Sequence, residues 1–389
     1  VTPRAASVAI VGGGVIGASV AYHLARRGWR DVVVLEREPA PGRGSTARAT
    51  GGFRAQYGTA INVRLSLLAR ERLRAFHDET GGDAGYDPCG YLWLAADGDE
   101  LAQLREGQAV QHAQGLPEAT MVDATGALEL NPALAADDIA GAAFCPTDGY
   151  IRPLGILEGY LAAAMRLGVR MESGVTVTGV ERGPGGAIAT LLTSAGPIGV
   201  GAVVNAAGAW AGDLARFAGV ELPIEPLRRQ VAITAPCDLL PSRMPMTLFC
   251  RDGFHLRVRD GRVLLLRPTP GAPGRPFACD VEAAWMDDVV ALAHARVPVL
   301  RRAAIDRGAA WAGLYEMSPD KHAILGAAPD CPNFFLANGS SGHGVMHAPA
   351  LGLLLAEIMS DGAAATLDVR ALRPERFAAG DLNPSSGLL

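Results

Sequence analysis

Residues 8–36 read VAIVGGGVIGASVAYHLARRGWRDVVVLE, and this stretch decides the fold. The apolar run at 8–11 predicts a buried parallel strand. Gly12, Gly14 and Gly17 follow in G-x-G-x-x-G spacing, residues 15–27 carry a helical pattern, and Gly28 ends it. A second apolar run, 32–35, closes on Glu36. Strand, glycine turn, helix, strand and acid together form a dinucleotide-binding βαβ unit. Gly12 permits the tight turn, Gly14 lets a pyrophosphate approach the backbone, and Gly17 lets helix and strand pack closely. The helix N-terminus offers unpaired N–H groups to phosphates. Glu36 accepts ribose hydroxyls and disfavours a 2′-phosphate. The competing reading, a glycine-rich turn without a ligand, leaves three destabilising glycines without a use.

Outward from this unit, 389 residues with 49% hydrophobic content suffice for one large core or two layered domains. A formal charge of −5 with no basic run argues against nucleic acid and anionic membranes as partners. No run of about 18 apolar residues predicts a spanning helix. VTPRAAS at the start reads as too short and polar for a signal peptide, and Val1 in place of Met fits an alternative start codon or trimming. Six scattered cysteines without a C-x-x-C pair read as reduced thiols of a cytoplasmic protein; a metal or redox pair is the minor alternative.

Residues 38–58, EPAPGRGSTARATGGFRAQYG, form either a long surface loop or a functional one. Gly44, Ser45 and Thr46 suit phosphate or ring contacts, and Arg43 and Arg48 suit a pyrophosphate. Arg54, isolated between Phe53 and Ala55, suggests a specific anion. Helices are expected at 62–80, 99–114, 153–167, 280–296 and 345–360, with a short one within 121–138. Strands are expected at 91–95, 169–172, 175–181, 188–193, 198–200, 202–205, 227–234, 254–259, 263–266, 309–315, 323–325 and 333–337. In the run AVVNAAGAW, Ala206–Gly208 are small enough for a flat ligand to lie on the backbone, though an ordinary strand–turn–helix is also possible. NGSSGHG at 338–344 is a second glycine-rich turn before a helix; its N–H groups would face an electron-rich ring edge. His343 there is either a ligand contact or a capping donor.

The opening fingerprint, GSTARATGG, VVNAAGAW, EMSPDKHAILG and NGSSGHGVMHAPALG together resemble the glycine/D-amino-acid oxidase class of FAD-dependent oxidoreductases, in its sarcosine oxidase β-subunit, proline dehydrogenase and glycine oxidase branch. The resemblance covers nearly the whole chain. It implies an α/β (α+β overall) fold: a Rossmann-like FAD-binding domain with an inserted antiparallel-sheet substrate domain. The expected ranges are 1–85, 145–222 and 305–389 for the first and 86–144 and 223–304 for the second. It implies FAD contacts at Gly12, Gly14, Gly17 and their neighbours Val15 and Ile16, at Glu36 for the ribose, and at Arg37 beside the adenine. Further contacts are implied at Arg43, Gly44, Ser45, Thr46, Arg48, Gly51, Gly52, Val175, Ala206, Ala207, Gly208 and Trp210. Gly339, Gly342, His343, Gly344, Val345 and Met346 complete the set, the last five at the flavin pyrimidine edge. No metal is expected.

Arg54 lies where relatives carry an arginine for the substrate carboxylate. Three departures stand out. Arg48 occupies the place of a flavin-attaching histidine, Gly313 or Leu314 that of an attaching cysteine, and Met346 that of a carboxylate-binding lysine. The first two imply non-covalent FAD. His255 and Arg267 are candidates for the group over the flavin, or else plain strand residues. The reaction expected is oxidation of a C–N bond in a small amino acid or N-alkyl amino acid by hydride transfer to flavin N5, giving an imine that water hydrolyses. Oxygen or another acceptor takes the electrons, and an oligomer is possible. A dehydrogenase with a non-oxygen acceptor, a 2-hydroxy-acid oxidoreductase and a flavin-binding assembly protein are the alternatives.

Overall fold

In the computed structural model, residues 4–269 and 275–384 are described; 1–3, 270–274 and 385–389, which fall inside the expected domain ranges, lie outside the described residues. β1 (Arg4–Val11), α1 (Val15–Arg26) and β2 (Val32–Glu36) form the expected unit. β1 lies inside a sheet ordered Ile324–Ala328, Cys331–Asn338, Ile198–Asn205, β1, β2, Arg170–Ser173. From Cys331–Asn338 to Arg170–Ser173 all pairs are parallel. Neighbours on both edges and layers on both faces explain why Val8, Ala9 and Ile10 are fully buried and why the run does not alternate. One face carries α1, Pro153–Arg166 and Gly344–Asp361. The last helix crosses α1 at Gly352, where a Cβ would come 2.2 Å from Ser19 Oγ. The meander Val177–Arg182 and Ile188–Thr193 extends the sheet through Ile198–Asn205.

A second eight-stranded sheet forms a roof over the C-terminal ends of these strands. Its order is Trp311–Met317, Glu225–Ile233, Arg262–Leu266, His255–Arg259, Met246–Phe249, Tyr91–Ala95, Gly141–Cys145, Thr120–Val122. It is antiparallel except where Met246–Phe249 pairs parallel with Tyr91–Ala95. One face packs on the helix Ala283–Arg296 through Leu256, Val263, Trp285 and Val289. The other, bearing Tyr91, Trp93, Met246 and Leu266, faces the cleft.

The sequence placed residues 311–317 with the closing cofactor segment. They pair with Glu225–Ile233 in the roof instead. Their alternation of buried Ala312, Leu314 and Glu316 with half-buried Gly313, Tyr315 and Met317 is that of an antiparallel edge strand. The single helix expected at 62–80 is two, Ala60–Arg74 and Phe76–Thr80, meeting at Ala75. The long loop at 38–58 has structure of its own: a helical turn, Ser45–Arg48, and a two-residue strand, Gly52–Phe53, paired with Gly149–Tyr150. Among the described residues no helix is long and apolar enough to cross a membrane.

Candidate active site

A cleft of about 640 Å³ runs between the sheet ends and the roof, within the range of ligand sites of roughly 300–1,000 Å³. At one end lies the glycine turn. Gly12 has φ +117°, and a Cβ there would sit 2.2 Å from the Ala206 carbonyl oxygen. A Cβ on Gly17 would sit 2.0 Å from the Gly12 carbonyl oxygen, so Gly17 serves close packing and does not line the cleft. Around Gly14 the nearest atom to such a Cβ is Thr46 Oγ1 at 3.4 Å, which leaves the cradle open to a ligand. Thr46 Oγ1 accepts the Val15 N–H at 3.2 Å. The N–H groups of Ile16 and Gly17 precede the first α1 bond, from Ala18 N–H to Gly14 carbonyl. Glu36 accepts the N–H groups of Gly13 (2.8 Å) and Glu38 (2.9 Å). Four lone-pair sites on a carboxylate leave capacity for ribose hydroxyls. Arg37 lies 3.5 Å over the Trp210 ring, which stacks on Phe277. Val175, Ala206, Ala207 and Gly208 line the same end. Open cradle, orphan N–H groups and terminal acid fit a dinucleotide without a 2′-phosphate.

Gly342, His343, Gly344, Val345 and Met346 line the far wall. The first bond of the helix Gly344–Asp361 runs from the His347 N–H to the His343 carbonyl, so the N–H groups of 344–346 precede it. Gly342, at φ +96°, leaves room for Tyr315, whose ring atoms would lie 2.5 Å from a Cβ. Arg48 and Gly313 pack side by side: a Cβ on Gly313 would lie 3.0 Å from that of Arg48, and Arg48 donates to the Ala312 carbonyl at 2.8 Å. Arg48, Gly313 and Leu314, the positions expected in place of attaching residues, all line the cleft, and none carries a nucleophile. Ser45 Oγ donates to the Leu314 carbonyl at 2.6 Å, tying the 44–46 turn to the roof.

Arg54 is buried and lines the cleft. It donates to the Gln56 carbonyl at 2.8 Å, lies 4.0 Å over Tyr57 and 4.9 Å over Trp93, and approaches His343 Nε2 at 3.4 Å. A guanidinium only donates, so His343 Nε2 accepts and its proton rides on Nδ1. Burial, helped by Arg54, holds His343 well below the usual histidine range. The segment after Arg54 is fixed by Asp148, which accepts the N–H groups of Ala55 (2.8 Å) and Gln56 (3.3 Å). Burial raises Asp148 to about 7 against the opposing pull of those N–H groups and Arg54. On the roof, His255 Nδ1 donates to the Gly253 carbonyl at 2.8 Å, leaving Nε2 as an acceptor. Burial lowers His255 to about 4, and Arg54 and Arg229 push the same way.

The cleft thus gathers Gly12, Gly14, Val15, Ile16, Glu36, Arg37, Gly44, Ser45, Thr46, Arg48, Gly51, Gly52, Arg54, Trp210, His255 and Arg267. Arg43 is exposed and does not line it. Gly339 also stays off the wall: at φ +69° it packs against Ile324, Ser318 and Ile224. Arg267 lines the cleft while its carbonyl accepts the Trp285 indole N–H at 3.2 Å. Sequence reasoning missed Tyr91, Trp93, Asp148, Arg229 and Tyr315. The Arg228–Arg229 pair inside the strand expected at 227–234 was the one signal, for Arg229. Asp148 carried none.

A family model described as DAO, FAD dependent oxidoreductase, matches residues 7–358. FAD-dependent oxidoreductase domain-containing protein 1 of Xenopus laevis is 28% identical over 419 aligned positions, covering 96% of this chain and 83% of that protein. Glycine oxidase of Geobacillus kaustophilus (strain HTA426) is 30% identical over 360 positions, covering 90% of this chain and 92% of that one. The crystal structure of L-proline dehydrogenase from P. horikoshii matches with a TM-score of 0.90 at 28% identity, over 98% of this chain and 100% of that one.

Proposed function

The chain belongs to the DAO family of FAD-dependent oxidoreductases, and from that premise we propose that it oxidises the C–N bond of a small amino acid or N-alkyl amino acid anchored on Arg54. The observation that carries this reading is Arg54 itself: a buried guanidinium on the cleft wall, held by aromatic faces and a carbonyl. In this reading the first sheet and its helices form the cofactor half. The roof, with residues 311–317, forms the substrate half.

The glycine turn, Ile16 and Thr46 would hold the pyrophosphate, Glu36 the adenosine ribose, and the 342–346 turn the flavin edge, without a covalent bond. FAD, when bound there, would supply the two-electron acceptor for oxidation of the substrate's C–N bond to an imine, which water would hydrolyse. The protein's residues bind, orient and set the field. Arg54 takes the carboxylate through a guanidinium fork, which fixes the substrate's orientation. Asp148 holds the backbone that carries Arg54. Only a neutral amine gives up hydride readily, and cations in a partly dry site lower an ammonium's pKa. Arg54 and Arg229, walled by Tyr57, Trp93 and Tyr315, create that field. His255, neutral, offers Nε2 to an amine N–H. The N–H groups of 344–346 would hold the flavin edge and stabilise negative charge there.

The test is anaerobic. The FAD-loaded protein is mixed with sarcosine, glycine, L- and D-proline, further L- and D-amino acids and 2-hydroxy acids, and the flavin visible band is followed. Bleaching by an amino acid supports the reading. Bleaching by hydroxy acids alone, or by none of these compounds, overturns it.

A further inference from the structure

The cleft holds a second guanidinium that carboxylate binding at Arg54 leaves unused. Arg229 sits on the roof strand Glu225–Ile233, opposite Gly313 in the pairing with Trp311–Met317. Its neighbours Arg228 and Gln230 point the other way, to Glu282 near the helix outside the roof. Arg229 lines the cleft with its guanidinium 5.4 Å from the Tyr315 ring centroid. Among the described residues its one hydrogen bond goes to the Arg228 carbonyl at 3.3 Å, and it makes no ion pair. A half-buried cation without a carboxylate partner is costly to keep unless something anionic meets it there. Of the four carboxylates lining the cleft among the described residues, Glu36, Glu38 and Asp213 lie at the adenosine end with Arg37 and Trp210, and Glu316 is the fourth. Glu316 lies beside the Ser340 N–H, one strand position out of phase with Tyr315.

Resting on the reading of Arg54 as the α-carboxylate anchor, we propose that the substrate carries two acid groups, the second received by Arg229. Arg54 and Arg229 both act on His255, and Tyr315 lies against Arg229 while facing the same space. A ligand spanning Arg54 to Arg229 therefore crosses an aromatic wall with a cation at either side. The fitting class is a dicarboxylic amine: an N-carboxyalkyl amino acid or an acidic amino acid. A neutral amino acid would leave half-buried Arg229 without an anionic partner beneath the roof.

Two measurements test this on the FAD-loaded protein. Thiodiacetate and methylthioacetate are sulfur analogues that cannot form an imine; their dissociation constants are read by titration of the flavin spectrum and by calorimetry. Thiodiacetate binds about 10- to 100-fold tighter. In Arg229→Met that ratio falls toward one, and in Arg229→Lys, which keeps a cation, part of it remains. The matched anaerobic pair, iminodiacetate against sarcosine, follows the same order in flavin reduction. Equal binding of the two analogues overturns the proposal, as does a preference that survives in Arg229→Met; Arg229 then serves the electron acceptor or the roof. If no amine or hydroxy acid bleaches the flavin but the analogue ratio holds, the oxidation reading fails while the two-anion site stands.

Discussion

On the floor of the cleft the ligand-facing groups are backbone N–H groups, set in place by Gly12, Gly14 and the start of α1. On the roof and side wall they are side chains, Arg229, His255, Tyr315 and Arg54, drawn from three strands and a loop. In the proposed reading the floor addresses a ligand portion that is the same whatever the substrate, and does so with few rotatable bonds. In that reading the roof addresses the part that varies, with groups that substitution can exchange without disturbing a parallel sheet. Backbone sites demand particular φ values and close approaches; side-chain sites demand only that a strand present the right face.

That contrast can be broken in order of effect. Gly12→Ala forces a Cβ within 2.2 Å of the Ala206 carbonyl oxygen at φ +117°, and the strain and overlap are expected to cost roughly 3 kcal/mol or more. Thermal melting and flavin content of the purified protein should both collapse. Gly14→Ala separates fold from ligand: its Cβ meets only Thr46 Oγ1, at 3.4 Å. The melting temperature should stay near wild type while bound FAD is lost; retained FAD would remove the pyrophosphate from that cradle.

The side wall is tested through Asp148. Its pKa is raised from 3.8 to about 7 in the folded state by burial. The folded protein therefore binds more protons than the unfolded chain between about pH 4 and 7, and stability falls as pH rises through that window. Asp148→Asn should flatten this slope in denaturant melts at several pH values. It also loses an acceptor for one of the two N–H groups at 55 and 56, so substrate KM should rise more than kcat falls. An unchanged slope would mean that Asp148 does not titrate there. At the small end, Arg43→Ala should change stability by less than about 0.5 kcal/mol and leave FAD content intact, because Arg43 is exposed and off the cleft.

The same contrast governs what could be read from the chain. The floor was legible because its chemistry is local: G-x-G-x-x-G, Glu36 and NGSSGHG each carry their own turn, helix start and strand end within a few residues. The roof was legible as strands at 227–234, 254–259 and 263–266. Thr120–Val122 and Gly149–Tyr150 were missed, being too brief for alternation to show, and Gly141–Cys145 and Met246–Phe249 were missed because GAAFC and MTLF carry no β-branched run. Arg54 was found because it stands alone in an apolar stretch. Tyr91, Trp93 and Tyr315 were not assigned to the site, since only the sheet order brings positions 91, 229 and 315 to one cavity. Asp148 acts through two backbone N–H groups more than ninety residues away in sequence, a pairing no local pattern announces.

The central claim is that Arg54 holds a substrate carboxylate in the cleft. The most direct measurement is stopped-flow reduction of wild-type and Arg54→Ala enzyme by the best amino acid and by its carboxamide. With the acid, Arg54→Ala should lose about 100-fold or more in reduction efficiency; with the neutral carboxamide, wild type and variant should differ little. An equal loss with both compounds would show that Arg54 supports the cleft without touching the carboxylate, and would contradict the account.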